Sequence, residues 1–134
     1  MVMGAAQLDI AAFKRVPFDD DLVFVGPDLS GATFAMQIRQ HWGDTGTALI
    51  TPTLSATYDP AYIYYDPRRK ITVGPVPATI VAIAIPEADI EGLPFAADEE
   101  KPLELVYDMH VTPSGETKRV AMAGAFIIYP GSTI

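Results

Sequence analysis

Apolar and polar residues trade places at every second position in two stretches of this chain. In the first, Ala32, Phe34, Met36 and Ile38 alternate with Thr33, Ala35, Gln37 and Arg39. In the second, Leu103, Leu105, Tyr107, Met109 and Val111 fall on one side and Glu104, Val106, Asp108 and His110 on the other. Successive side chains of a strand point to opposite faces, so this period of two predicts strands with one buried face. Burial of Phe34, Met36 and Ile38 would contribute about 1.5–3 kcal/mol each. The second stretch runs through Pro113, Ser114 and Gly115 into the apolar segment 117–130, which predicts an antiparallel hairpin. Gly124 inside the return strand predicts a bulge or a close approach of another backbone.

Elsewhere the pattern is weaker. Residues 1–7 read as a loose arm and 8–16 as a first strand. Leu22–Val25 is a short apolar run, preceded at Asp19, Asp20 and Asp21 by what reads as a solvated charged turn. Gly43, Asp44 and Gly46 turn the chain back into a less regular strand from Thr47, in which Pro52 marks an edge position or a break. Segment 61–66 predicts another short strand, and 67–77 a loop enclosing a brief piece at Ile71–Val73. Segment 78–85 is apolar on both faces. It is either a central strand covered on both sides or one whose outer face meets a neighbour. Pro86 with Glu87, Ala88 and Asp89, closed by Gly92, predicts one helical turn.

About seven to nine short strands and one helical turn predict an all-β protein, an antiparallel β-sandwich that is immunoglobulin-like in architecture. A small barrel is the competing layout. The expected organisation is a single domain over 1–134, with an N-terminal arm and first strand at 1–16 and the sandwich proper at 17–134.

Charge and composition narrow the function classes. An apolar fraction of 49% over 134 residues suits one folded core. A net charge of −8, with nine basic residues against seventeen acidic ones, argues against a nucleic-acid partner, whose phosphates need Lys and Arg. The chain has no cysteine, which removes disulfides, thiolate metal sites and a cysteine nucleophile. The N-terminus lacks a basic start followed by an apolar run, so no secretory signal is expected. The longest apolar run is about half of the ~20 residues a membrane helix needs, so no membrane partner is expected either.

Motifs that carry chemistry are missing. No phosphate-binding glycine loop and no G-x-S-x-G elbow occurs, and Ser30, Ser55, Ser114 and Ser132 sit in turn-like contexts. A metal site would require His41 and His110 to converge with Asp44 or Asp108; sheet-surface histidines are the simpler reading. The acidic runs 19–21 and 98–100 do not match an EF-hand loop. The expectation is therefore no catalytic residue, no metal and no cofactor. A small hydrolase with two facing carboxylates is the weakest alternative.

Aromatic residues point to a surface instead. Tyr58, Tyr62, Tyr64 and Tyr65 lie close together beside Arg68 and Arg69, and Tyr and Arg are enriched at interaction hot spots. Ile80, Ala82 and Ala84 offer a second candidate contact, small enough for close approach. A carbohydrate-binding platform would use similar tyrosines, and that is the rival reading.

The run Phe18-Asp-Asp-Asp-Leu-Val-Phe24 before Asp28-Leu-Ser-Gly-Ala-Thr-Phe-Ala-Met-Gln-Ile-Arg39 resembles β-rich accessory proteins of tailed bacteriophages or gene-transfer-agent-like particles. The similarity is to the baseplate-upper-protein type of N-terminal domain in tail and fibre proteins. Residues 103–111, the Ser114-Gly-Glu-Thr117 turn and 120–133 are similar to the end of that pattern. The resemblance spans 17–134, carried by strand-and-turn grammar at its two ends. It implies a virion structural protein, a tail, baseplate or fibre-attachment adaptor. Such a protein acts through contacts with other virion proteins, as a homo-oligomer and without catalytic residues. A capsid decoration protein is the alternative within the same class. Fibre proteins continue beyond the point that matches Ile134, which implies a self-contained adaptor.

Overall fold

The computed structural model describes residues 6–26, 29–93 and 101–130. Its elements in chain order are β1 (Ala6–Gln7), β2 (Ile10–Phe13), β3 (Phe18–Val25), β4 (Thr33–Arg39), β5 (Thr53–Asp66), β6 (Ile71–Ile85), α1 (Glu87–Glu91), β7 (Leu103–Thr112) and β8 (Arg119–Tyr129). Two sheets result. One runs β1-β8-β7-β4, with β2 also on β8, and the other runs β3-β6-β5. The protein is an all-β, two-sheet sandwich with one short helix. Among the described residues, no helix is long and apolar enough to cross a membrane.

Both strong alternations form strands, and their apolar sides face the core. Met36 and Ile38 of β4 and Leu105, Tyr107, Met109 and Val111 of β7 are buried, while Gln37 is exposed and His110 half-buried. The opposing sheet contributes Phe18 and Leu22 of β3 and Val81, Ile83 and Ile85 of β6. Two aromatic pairs bridge the layers. Phe18 meets Phe126 edge to face at 5.5 Å, and Phe24 stacks on Phe34 at 5.8 Å, geometries worth about 0.5–1.5 kcal/mol beyond area burial. Helix α1 begins after Pro86 with Glu87 and Asp89 in its first turn, and its Ile90 is buried in the core.

Several expectations are corrected. Strands β1 and β2 run parallel to β8, so the sandwich is antiparallel except along this N-terminal seam. Asp19, Asp20 and Asp21 are not a turn: they lie inside β3, which starts at Phe18. The return from Gly46 does not pair with β4 as a strand. It touches β4 at the single bridge Ile38–Ile50 and then crosses to the other sheet as β5. The short strands and loop expected over 61–77 are two long strands, 14 and 15 residues, in one continuous hairpin. The acidic run 98–100 lies outside the described residues.

The N-terminal seam depends on one glycine. Gly124 lies opposite Tyr107 on β7, and a Cβ there would drive into the carbonyl of Leu8. The gap lets Leu8 come close enough for its carbonyl to accept a 2.6 Å hydrogen bond from the Tyr107 hydroxyl, while Asp9 Oδ1 accepts from the Ala125 amide at 3.1 Å. Gly124→Ala is expected to destabilise the fold by more than about 2 kcal/mol, because backbone rather than a flexible side chain must yield; chemical denaturation measures it. Burial, with a smaller contribution from the Asp9 carboxylate, pushes the Tyr107 phenol up to about 12. An unfolded tyrosine loses its proton near 10 while the folded one keeps it, so stability falls as pH rises from about 10 to about 12. Tyr107→Phe should flatten that part of the pH–stability curve, at the cost of one hydrogen bond below it.

Candidate interaction surface

Strand β3 pairs with β6 from Phe18–Ile85 to Val25–Ala78 and then stops, with the Gly26 amide bonded to the Pro77 carbonyl. Past that level β5 and β6 go on, pairing only with each other among the described residues, through Tyr62–Val76, Tyr64–Val73, Tyr65–Thr72 and Asp66–Ile71. At about 3.3 Å per residue this two-stranded arm reaches roughly 20 Å beyond the sandwich. Prolines and glycine that read as strand breaks are absorbed here as register shifts. Pro60 and Pro77 lie within the first irregularity and Gly74 and Pro75 within the second. Such positions owe no ladder N–H, so the strands bend instead of ending. Gly74 has φ +125°, and a Cβ on it would meet the Tyr62 carbonyl and Ile63 Cα.

Cross-strand partners share a face, so Tyr62 and Tyr64 lie with Val76 and Val73, and the two rings stack at 6.1 Å. Ile63 and Tyr65 alternate to the opposite flank, each 59% exposed, and Ile71 is 45% exposed. An isolated hairpin is marginal in water, yet this one presents apolar side chains on both flanks.

The tip is a built turn. Asp66 Oδ1 accepts from the amides of Arg68 and Arg69, and Asp66 Oδ2 accepts from Arg69 Nε at 2.8 Å. That guanidinium holds the Asp66 carboxyl below its ordinary value. Lys70 closes the turn at φ 53°. Three of the nine basic residues of an acidic chain, Arg68, Arg69 and Lys70, are thus exposed side by side at the arm's end.

The nine residues singled out from the sequence are only partly brought together. Arg68 and Arg69 are at the tip. Tyr62 and Tyr64 share a face of the arm, while Ile80, Ala82 and Ala84, each half-buried, share a face of β6 on the body, with register shifts between the two groups. Tyr58, opposite Thr79, points to the inner side, and Tyr65 lies on the other flank of the arm. The four tyrosines therefore do not make one flat platform. In the apolar segment 78–85, Ala78 and Thr79 are both buried, after which Val81, Ile83 and Ile85 face the core and Ile80, Ala82 and Ala84 are half-buried on the other side.

Two features were not picked out beforehand. Trp42, 60% exposed, stands over a shallow recess of about 170 Å³ with Arg39, His41, Asp44 and Asp108. Its polar groups largely hold the loop itself: Arg39 bonds to Gly46 O and Gln37 Oε1, and the His41 amide to Asp44 Oδ2. The other feature is the arm's length, whose only sequence signal was β-rich residues on both sides of the prolines. His110 lies 3.3 Å from Asp108 on the sheet surface, and no cluster of three metal-ligating groups occurs among the described residues.

No protein-family model and no curated protein matches the chain. Among solved structures it is similar to a family 123 glycoside hydrolase from Clostridium perfringens, with 9% identity, a TM-score of 0.42 and coverage of 96% of this chain. The chain spans about a quarter (24%) of that protein's length, and neither fold nor function is inferred from a likeness of that size.

With Ile63 and Tyr65 each 59% exposed, Ile63→Ser with Tyr65→Ser should shift the unfolding free energy of the dilute chain by no more than about 1 kcal/mol. Ile83→Ser, in the core, should lower it by several times as much. Urea denaturation of the two variants side by side checks the contrast.

Proposed function

We propose that this chain is an assembly protein that works by protein–protein contact, without catalysis, as a tail, baseplate or fibre-attachment adaptor of a phage-like virion. The observation that carries the reading is the arm. A two-stranded ribbon with Ile63, Tyr65 and Ile71 open to solvent pairs with no further strand among the described residues. Exposed apolar area of this kind marks a contact surface. On the body, the half-buried Ile80, Ala82 and Ala84 of β6 offer a second apolar patch, separate from the Ile63 and Tyr65 flank of the arm. The likeness of the Phe18–Arg39 and 103–133 segments to phage accessory proteins supports the particle, while the arm supports the mode of action.

Gradient-purified particles released from cells carrying this gene, separated into head and tail fractions and digested for mass spectrometry, should yield this chain in the tail fraction at a fixed multiple of other tail proteins. Particles carrying Ile63→Ser/Tyr65→Ser should lack it, although the variant folds. Absence of the wild-type chain from particles would sink the virion reading, and normal incorporation of the variant would sink the arm's part in it.

A further inference from the structure

The arm's tip and the edge of β3 are oppositely charged, and no single molecule can bring them together. Asp19, Asp20 and Asp21 are exposed at the end of β3 remote from the arm, opposite Ala84, Ile83 and Ala82 of β6. Ile71 marks the tip on the same strand, so roughly 35 Å of extended backbone separates the two charge clusters within one chain. No ion pair among the described residues involves these aspartates, Arg68 or Lys70. Strand β3 is also an open edge of its sheet. Charges on such an edge repel a like edge from another copy and leave it available to a basic segment.

The dimensions match. From the arm's base at Val25 to the aspartates is about 13–20 Å along β3, close to the roughly 20 Å by which the arm projects. A second copy abutting the base of the arm therefore has its aspartates at the level of the tip. Along the way Val23 and Val25, 38% and 41% exposed, lie where Ile63 and Tyr65 need cover.

We propose that the arm of one copy lies along the β3 edge of a second copy of this chain, with Arg68 and Lys70 against Asp19 and Asp21. This rests on the assembly reading above and names its partner. A two-fold relation lets both arms engage reciprocally, each copy giving one tip and one acidic edge. Two copies each carrying −8 repel overall. The specific pairing must outweigh that repulsion, and it is weakened by salt, which would instead relieve the general repulsion.

Sedimentation equilibrium of the full chain tests it with two variants. Arg68→Glu/Lys70→Glu reverses the tip and leaves Arg69, whose guanidinium shapes the turn. Asp19→Lys/Asp21→Lys reverses the edge and leaves Asp20, whose carboxylate caps the Asp21 amide at 2.8 Å. Wild type should self-associate, more weakly as sodium chloride rises. Each variant alone should associate at least about tenfold less, and an equimolar mixture should recover association, because each then offers a sign the other lacks. Recovery also shows both variants folded; should the edge variant fail to fold by circular dichroism, Arg68→Gln/Lys70→Gln must still weaken association. A monomeric wild type, undiminished association of the tip variant, or a mixture of two folded variants that stays monomeric overturns the proposal. If the wild type is monomeric but particles still require Ile63 and Tyr65, the copy-to-copy contact is wrong and the assembly reading stands.

Discussion

The contact between the inward row of β6 and the opposing sheet fixes everything else. Val81, Ile83 and Ile85 are buried against a layer that includes Tyr107, Met109 and Phe126. Shifting β6 by one residue would turn that row to water. With its lower half locked, β6 has a set register against β3 on one side and β5 on the other. Because β6 is 15 residues long and β3 only 8, the excess must leave the body together with β5. The projecting hairpin is a consequence of core packing and not a loose loop. Its direction is set by side chains that never touch it.

What could be read from the sequence follows the same division. Strands β4 and β7 were legible because one face of each is buried and the other wet, so their alternation is clean. The tight reversal at Pro113–Glu116 was legible because proline and glycine meet the needs of that turn, as does the Glu116 amide bonded to the Pro113 carbonyl. Gly124 declared a close approach but not its partner, since Leu8 lies more than a hundred positions away. The hairpin was not legible. Pro60, Gly74, Pro75 and Pro77 look like terminators when local chemistry alone is weighed. A proline ends a strand only where a neighbour needs its missing N–H, and among the described residues no third strand pairs with the arm. The aspartates of β3 misled for a related reason, because an edge strand tolerates charge that a central strand would reject.

The candidate surface was half visible. Clustered tyrosines beside arginines fall on the projecting hairpin, but pairing sends Tyr62 and Tyr64 one way and Tyr65 the other, and no count of residue types reveals that. The charge distribution was hidden by its own average. A net value of −8 describes the whole chain, yet it conceals a tip of three consecutive cations and an edge of three consecutive anions, far apart on one rigid sheet. That polarity is what the proposed copy-to-copy contact draws on.

The parallel seam of β1 and β2 on β8 has a mechanical meaning. Ala6 is level with Met122 and Phe13 with Tyr129, where the two rings sit 5.8 Å apart. A pull applied before Ala6 and another applied after Tyr129 would therefore drag these neighbours along their lengths in opposite directions. Hydrogen bonds loaded that way bear the force together instead of opening one at a time from an end. The same seam that seats Leu8 against Gly124 is thus loaded in shear by a pull between Ala6 and Tyr129.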